Sequence, residues 1–296
     1  MTNGAGKIVD TKHPKLSLIV ATTGRADELR RLLTSLVDQL WTNFEVVVVD
    51  QSHDMAPIGA LVDEFSRKLQ IIYLQDGGTG LSRARNIGLR HAAGEFLGFP
   101  DDDCWYNSGV VESVVEYFQK NPDVGLYSGM YTEPGRTNPT FPVKPCALSR
   151  NNLFDKTCSV GLFIRRGGVG GVPLIFDEHI GAGTSIPAGE EVDLALRLLT
   201  GGVRGFYDPS LVIFHPINRE NNSSKESYVS LRMAFWYVIG KNYRPFFSEA
   251  KLIRGIAGCI FKRSSYSFIV ELSAVINGFR EGLRFRSRYS IETSGD

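Results

Sequence analysis

The sequence predicts an α/β fold: a mainly parallel sheet flanked by helices, followed by a basic, helical C-terminal extension. Three observations carry this reading. Short apolar runs alternate with segments of helical periodicity through the first half of the chain, as parallel strands joined by crossover helices require. Polar and acidic residues gather where those runs end. Charge is also split along the chain. Of 33 basic and 32 acidic residues, residues 225–296 hold 12 and 6, net +6, which leaves 21 and 26, net −5, for residues 1–224.

The elements follow in order. Residues 16–21 (LSLIVA) are almost continuously apolar, the pattern of a strand covered on both faces. Residues 27–40 place Leu29, Leu32, Leu33, Leu36, Val37 and Leu40 at helical spacing. Residues 44–49 (FEVVVV) predict a second strand that ends at Asp50, 58–69 a helix, and 70–74 a third strand. A glycine-rich turn opens a helix over 80–93, and a fourth strand over 95–99 runs into Pro100 and three aspartates. A helix over 107–119, a strand over 124–131, a proline-broken loop over 132–145 and a strand over 160–165 come next. Residues 176–189 read as a glycine-containing loop and 190–199 as a helix closed by Gly201 and Gly202. Residues 211–215 read as a late strand ending at a histidine, and beyond Asn218 the pattern is helical.

Composition narrows the function classes. With 296 residues, 43% hydrophobic and 22% charged, the chain has the balance of a globular protein and not of a disordered one. A net charge of +1 gives no case for a nucleic-acid partner. Cys104, Cys146, Cys158 and Cys259 form no C-x-x-C pair, which argues against structural zinc and a disulfide framework and for a reducing compartment. The first 15 residues hold no apolar stretch of signal-peptide length, and no clean run of about 20 apolar residues spans a bilayer. These points predict a soluble cytoplasmic protein.

In sheets of this kind ligands bind beyond the carboxyl ends of the strands. That rule puts residues 22–25, 50–53 and 101–103 on one rim. Asp101, Asp102 and Asp103 repel one another unless solvated or neutralised. A hard divalent cation shared with phosphate oxygens resolves the repulsion, and an exposed helix-capping turn is the other reading. Position at a strand end favours the metal. Asp50 suits either a hydrogen bond from a nucleobase or ribose, or an ordinary turn. Gly77, Gly78, Thr79 and Gly80 before a helix, with Arg83 and Arg85 in its first turns, suit a diphosphate or simply a helix start that needs glycine torsions. Glu190, Glu191 and Asp193 open a helix, where acids complement the dipole or supply a general base. His215, at a strand end before Pro216, is a structural histidine or completes a metal shell. Phe235, Trp236 and Tyr237 read as core or interface residues in preference to a sugar platform.

Taken in order, these segments resemble a family 2 glycosyltransferase with the A-type nucleotide-sugar fold. SLIVATTGRADELRRLLTSL is similar to its first strand and helix, and EVVVVDQS to its second strand. GLSRARNIGL resembles its A-R-N-x-G helix, and EFLGFPDDDCW the strand leading to its D-x-D signature. FDEHIGAGTSIPAGEEVDLALRLLTGG resembles its acceptor loop and acidic helix. The resemblance runs over residues 14–216. It implies a nucleotide-sugar-binding catalytic domain over 14–224, with a basic helical extension over 225–290. Donor binding falls to Asp50, Asp101 and Asp102, with Thr22, Thr23 and Arg25 near the base and ribose and Arg83 and Arg85 near the diphosphate. Asp103 with Asp101, and His215 if it ligates, would hold Mg²⁺ or Mn²⁺. The implied reaction is inverting transfer from a nucleoside-diphosphate sugar to a hydroxyl of a glycan or lipid-linked acceptor.

Two departures mark the chain. Glu190-Glu191 stands where the family usually has Glu-Asp, which moves the base to Glu191 in preference to Glu190. Asp50-Gln51-Ser52 lacks the further acidic or small residues often found there. Two other functions compete: a nucleotide-binding scaffold that has lost catalysis, and a sugar nucleotidyltransferase. In the tail, Phe268, Leu272, Val275, Ile276, Phe279 and Leu283 fit one helical face, with Arg280, Arg284, Arg286 and Arg288 at its end. That face packs on the catalytic sheet, or it meets anionic lipid at the inner surface of the cytoplasmic membrane.

Overall fold

The first apolar run becomes β1 (Leu16–Thr22), followed by α1 (Ala26–Val37), β2 (Phe44–Asp50), α2 (Ala56–Phe65), β3 (Gln70–Gln75), α3 (Leu81–His91), β4 (Phe96–Gly98) and α4 (Val110–Lys120). The second half adds β5 (Val124–Thr132), β6 (Cys146–Leu148), β7 (Leu162–Arg165), α5 (Glu190–Thr200), β8 (Arg204–Phe214), α6 (Lys225–Asn242), α7 (Pro245–Phe261) and α8 (Phe268–Phe285). This computed structural model describes residues 13–217, 225–243, 245–261 and 268–286. The expectations for residues 1–12 and for Arg288 lie outside them, as does the side chain of Phe268.

All eight strands form one sheet in the order β3-β2-β1-β4-β7-β5-β8-β6. β1 pairs in parallel with β2 and β4, β2 with β3, and β5 with β8. β7 runs antiparallel to β4 and β5, and β6 runs antiparallel to β8. The sheet is therefore mixed and mainly parallel, and six of its strands point their carboxyl ends at the same rim.

The sheet is built from the apolar runs because both of its faces are covered. Every residue of β2 is buried, and β1 is buried apart from Ala21. α1 lays Leu29, Leu32, Leu33 and Leu36 on the sheet, each worth roughly 1.5–3 kcal/mol over exposure. The helix stops at Val37, so Leu40 falls beyond it and is 57% exposed. α3 crosses β1 at Gly88, where an added Cβ would lie 2.4 Å from Ile19 Cγ2, so only glycine permits that approach.

Two elements differ from the sequence expectation. β8 starts at Arg204, seven residues before the expected strand, because its polar first half is recruited by pairing with β5 and β6 despite Asp208 and Pro209. β6 is a three-residue edge strand inside a stretch with no apolar run. Among the described residues no helix is long and apolar enough to cross a membrane. Cys104, Cys146 and Cys158 are free thiols.

α6 is locked to the rest of the chain by buried charge. Lys241 Nζ donates to Asp177 Oδ2 at 2.8 Å and to Asp193 Oδ2 at 2.9 Å, with all three side chains at most 1% exposed. Tyr237 Oη donates to Asp177 Oδ2 at 2.6 Å, Asn242 Nδ2 to Asp193 Oδ1 at 2.7 Å, and Arg197 Nε to Asp193 Oδ2 at 3.0 Å. Burial opposes ionisation of both aspartates. The Lys241 charge and these donors outweigh it at Asp177, and Arg197 with Lys241 does so at Asp193, so both are held below the ordinary carboxylate range. The two aspartates flank the loop that leads into α5.

Candidate active site

The rim at the strand ends is a cavity of about 470 Å³, within the size range of ligand sites. Thr22 and Thr23 enter its wall from the end of β1, with Arg25 after them, and Asp101, Asp102 and Asp103 from the turn after β4. A parallel bridge between Ala21 and Asp101 extends the β1–β4 pairing to that turn. β8 delivers His215 from the far side of the sheet. Trp105 N donates to Phe214 O at 2.8 Å and Phe214 N to Trp105 O at 3.0 Å, stitching the aspartate turn to the end of β8.

The charges on this rim are organised. His215 Nε2 lies 3.1 Å from Asp103 Oδ1 and 3.9 Å from Asp101 Oδ2. Burial pushes Asp103 up, but the hydrogen bond and charge of His215, with Arg25, outweigh it and hold its carboxyl down at about 2. Burial likewise opposes protonation of His215, and Asp103 and Asp101 overcome it to raise the imidazole above its usual value. Asp102 is different: its burial dominates over Arg25 and lifts it to about 6.

Asp101, Asp103 and His215 each offer a ligand atom within 4.8 Å of the other two. Two carboxylates and one imidazole form an oxygen-rich donor set that suits Mn²⁺ or Mg²⁺, so the residues fit a divalent cation. Phosphate oxygens from a bound ligand would complete the shell.

Arg85 carries the site inward. Fully buried on α3, it donates through Nη2 to Asp101 Oδ1 at 2.9 Å and through Nη1 to Glu190 Oε1 at 2.7 Å. It does not line the cavity; it joins the aspartate turn to the first residue of α5. Glu191 follows on the same helix and opens onto a second cavity of about 220 Å³, walled by Phe154, Thr157 and Val192 and by Leu231, Phe235 and Val238 of α6. Burial, and then the neighbouring Glu190 carboxylate, raise Glu191 above the ordinary carboxylate range. Trp236 and Tyr237 are buried in the core, whereas Phe235 shares this second cavity with Glu191.

Other expected residues stand apart from the cavity. Asp50 is fully buried: its Oδ1 accepts from Ser52 N at 2.9 Å and from Ser52 Oγ, and its Oδ2 accepts from Tyr73 Oη at 2.7 Å. Gln51 occupies the cavity wall at that point. Arg83 turns outward, donating to both oxygens of Asp76 at 2.9 Å. Gly78 makes room for it, since a Cβ there would lie 2.3 Å from Arg83 Nε. Thr79 and Gly80 of the glycine-rich turn do reach the wall, facing Ala182 and Gly183 of the loop before α5. Gly183, at φ +87°, approaches Gly80 so closely that a Cβ would lie 3.1 Å from its Cα. Sequence reasoning set Gln51 on the rim without a role, and it missed Lys241 and the Ala182–Gly183 wall. Lys241, the lone charge after the apolar run AFWYVIG, was the available signal.

The family model described as "Glycosyl transferase family 2" matches residues 17–165. An uncharacterized glycosyltransferase of Haemophilus influenzae is 28% identical over 194 residues, which is 62% of this chain and 62% of the relative. Glycosyltransferase GlyA of Streptococcus pneumoniae is 36% identical over 118 residues, 38% of this chain and 17% of the relative. The chain thus spans less than two thirds of the length of either. Among solved structures, residues 1–349 of S. aureus TarS superpose with a TM-score of 0.61 at 17% identity, covering 94% of this chain and 93% of that one. TarS 1–349 has also been solved in complex with UDP-GlcNAc. Mannosyltransferase PcManGT from Pyrobaculum calidifontis, in complex with GDP-Man and Mn²⁺, superposes with a TM-score of 0.55 at 17% identity, covering 95% of this chain and 77% of that one. At these identities the structural likeness establishes the fold.

Proposed function

This chain belongs to glycosyl transferase family 2, and from that membership we propose that it moves a sugar from a nucleoside-diphosphate sugar to a hydroxyl of a glycan or lipid-linked acceptor, with inversion at the anomeric carbon. The observation that carries the reading is the junction made by Arg85, which ties a cation-fitting aspartate rim to the acidic pair that opens α5. Nucleotide sugars in the UDP-GlcNAc complex of TarS and the GDP-Man complex of PcManGT support the donor class.

In this mechanism the 470 Å³ cavity holds the nucleoside diphosphate, with Thr22, Thr23 and Gln51 along its wall. Asp101, Asp103 and His215 would hold Mn²⁺ or Mg²⁺, whose charge would stabilise the leaving diphosphate. The acceptor approaches from the Glu191 side. Its hydroxyl gives its proton to the Glu191 carboxylate as the oxygen bonds to the anomeric carbon. The bond from that carbon to the diphosphate oxygen breaks, and the electron pair leaves with the nucleotide. A raised carboxyl is a stronger base than an ordinary one, as general-base chemistry near neutral pH requires. Glu190, held by Arg85, aligns the helix start and does not take the proton.

Residues 14–224 carry the donor chemistry in this reading, and 225–290 serve it. α6 closes the Glu191 cavity. On α8, Ile269, Ile276 and Leu283 recur every seven residues and are 76%, 37% and 41% exposed, with Arg280 and Arg284 also outward. That stripe, on a segment of net charge +6, suits peripheral contact with an anionic membrane carrying a lipid-linked acceptor.

The scaffold reading is favoured by one feature, Glu191 where aspartate is usual. Transfer assays with a metal-loaded donor, read by the anomeric configuration of the product, separate the two: an inverted glycoside supports the enzyme, and nucleotide binding without turnover supports the scaffold.

A further inference from the structure

Arg25 and a divalent cation would compete for one carboxylate. Arg25 Nη1 donates to Asp103 Oδ2 at 2.9 Å, its Nε donates to Asp102 Oδ2 at 3.1 Å, and its Nη2 also bonds Asp102 Oδ1. Asp103 is at the same time one of the three residues able to ligate a cation. A guanidinium cannot lose its proton to make way, so a metal arriving at Asp103 meets a fixed positive charge unless the side chain moves.

Arg25 is placed to move, and Arg85 is not. Its side chain is 47% exposed, whereas Arg85, on the opposite side of the turn, is 1% exposed and held at both ends, by Asp101 and by the buried Glu190. It follows Gly24, whose φ of +92° turns the chain sharply as it leaves β1 and sets the next side chain over the aspartates. Arg31 does a different job: it bonds the Asp103 carbonyl and stacks 4.2 Å over the Trp105 ring, fixing the backbone of the turn and leaving the carboxylates alone.

We propose that Arg25 is a positioning residue that couples metal binding to nucleotide binding: it caps Asp102 and Asp103 as a surrogate cation, and a nucleoside diphosphate draws its guanidinium onto phosphate oxygens and frees Asp103. The guanidinium fork matches carboxylate and phosphate equally well, so the exchange conserves its hydrogen bonds. Arg25 lines the same cavity as Thr22, Thr23 and Asp103, so the two positions are within one side chain's reach. The metal and the diphosphate then arrive as a charge-balanced pair. By linkage, each raises the affinity of the other by the same factor. The anion's identity rests on the nucleotide-sugar reading, whereas the competition between Arg25 and the metal does not.

The test is paramagnetic-resonance titration of Mn²⁺ into the full chain, alone and with saturating UDP or GDP. Arg25→Gln should bind Mn²⁺ alone at least tenfold more tightly than wild type, and its coupling between Mn²⁺ and nucleotide should shrink at least tenfold. Arg25→Lys, which keeps the charge without the fork, should fall between them. Asp103→Asn should weaken Mn²⁺ binding in either background. Circular dichroism confirms that each variant is folded, which the half-exposed position of Arg25 favours. Equal or weaker Mn²⁺ binding by folded Arg25→Gln overturns the proposal, and so does wild type that binds nucleotide and Mn²⁺ without coupling. Absence of binding by either nucleotide, or by dTDP, counts against the donor reading instead, and the comparison with Mn²⁺ alone then decides the role of Arg25.

Discussion

Arg85 donates to Glu190 Oε1 at 2.7 Å from a position where both side chains are almost wholly buried. The same guanidinium reaches Asp101, so the first glutamate of α5 is committed to a structural bridge. Among the described residues no cation pairs with Glu191. In the proposed reaction these two adjacent carboxylates, in unlike environments, would divide the labour, one fixed and one free to take a proton.

Glu191→Gln should therefore lower kcat by about 10²–10⁴-fold, the usual contribution of a general base, and leave donor affinity within about twofold. Isothermal titration of the nucleotide and steady-state transfer rates measure the two quantities separately. Glu190→Gln should behave differently, weakening metal-dependent donor binding as well as turnover, because it takes away the buried charge that anchors Arg85 beneath Asp101.

The pH profile carries the same signature. A base works deprotonated, and burial with the Glu190 charge raises Glu191, so its proton is lost only above the ordinary glutamate value of about 4.3. Activity should fall as pH falls through that raised value, well above the range of an exposed carboxylate. In Glu191→Gln the residual rate should show no such limb.

The buried cluster around Lys241 should be costly to break. Lys241→Met leaves Asp177 and Asp193 without their shared cation and should destabilise the fold by about 3–5 kcal/mol. Tyr237→Phe removes one hydrogen bond to Asp177, a charged acceptor, and should cost about 1.5–3 kcal/mol. Urea unfolding followed by circular dichroism gives both values.

Membrane contact through α8 is open to a direct trial. The chain should sediment with phosphatidylglycerol vesicles at low salt and release at 0.5 M NaCl, roughly where screening reaches a few ångströms. Ile276→Glu, at an exposed position, should abolish sedimentation without unfolding the protein. Vesicle binding that survives high salt and the substitution would remove α8 as the contact.

Much of this arrangement is legible in the sequence. The apolar runs of β1 and β2 and the leucine spacing of α1 read directly because both sheet faces are covered and period and burial agree. The aspartates after β4 and His215 after β8 are legible as strand-end residues, though nothing local says that they meet. That meeting depends on the Trp105–Phe214 bridge, a pairing of residues 109 apart in the chain. β6 and the first half of β8 are held by their partners and not by their own pattern. Lys241 is the plainest case of information absent from local sequence: its partners lie 64 and 48 residues away. Arg83 and Arg85, two residues apart on one helix, look equivalent in sequence and end in opposite places, one at the surface and one in the core.

If the proposed function holds, the cavity at the strand ends binds a nucleoside diphosphate together with a divalent cation. Calorimetric titration of UDP, GDP and dTDP, each with and without Mn²⁺, tests it most directly. One of them should bind at least tenfold more tightly with Mn²⁺, and Asp103→Asn should remove the difference. Folded protein that binds none of the three, with or without metal, would contradict it.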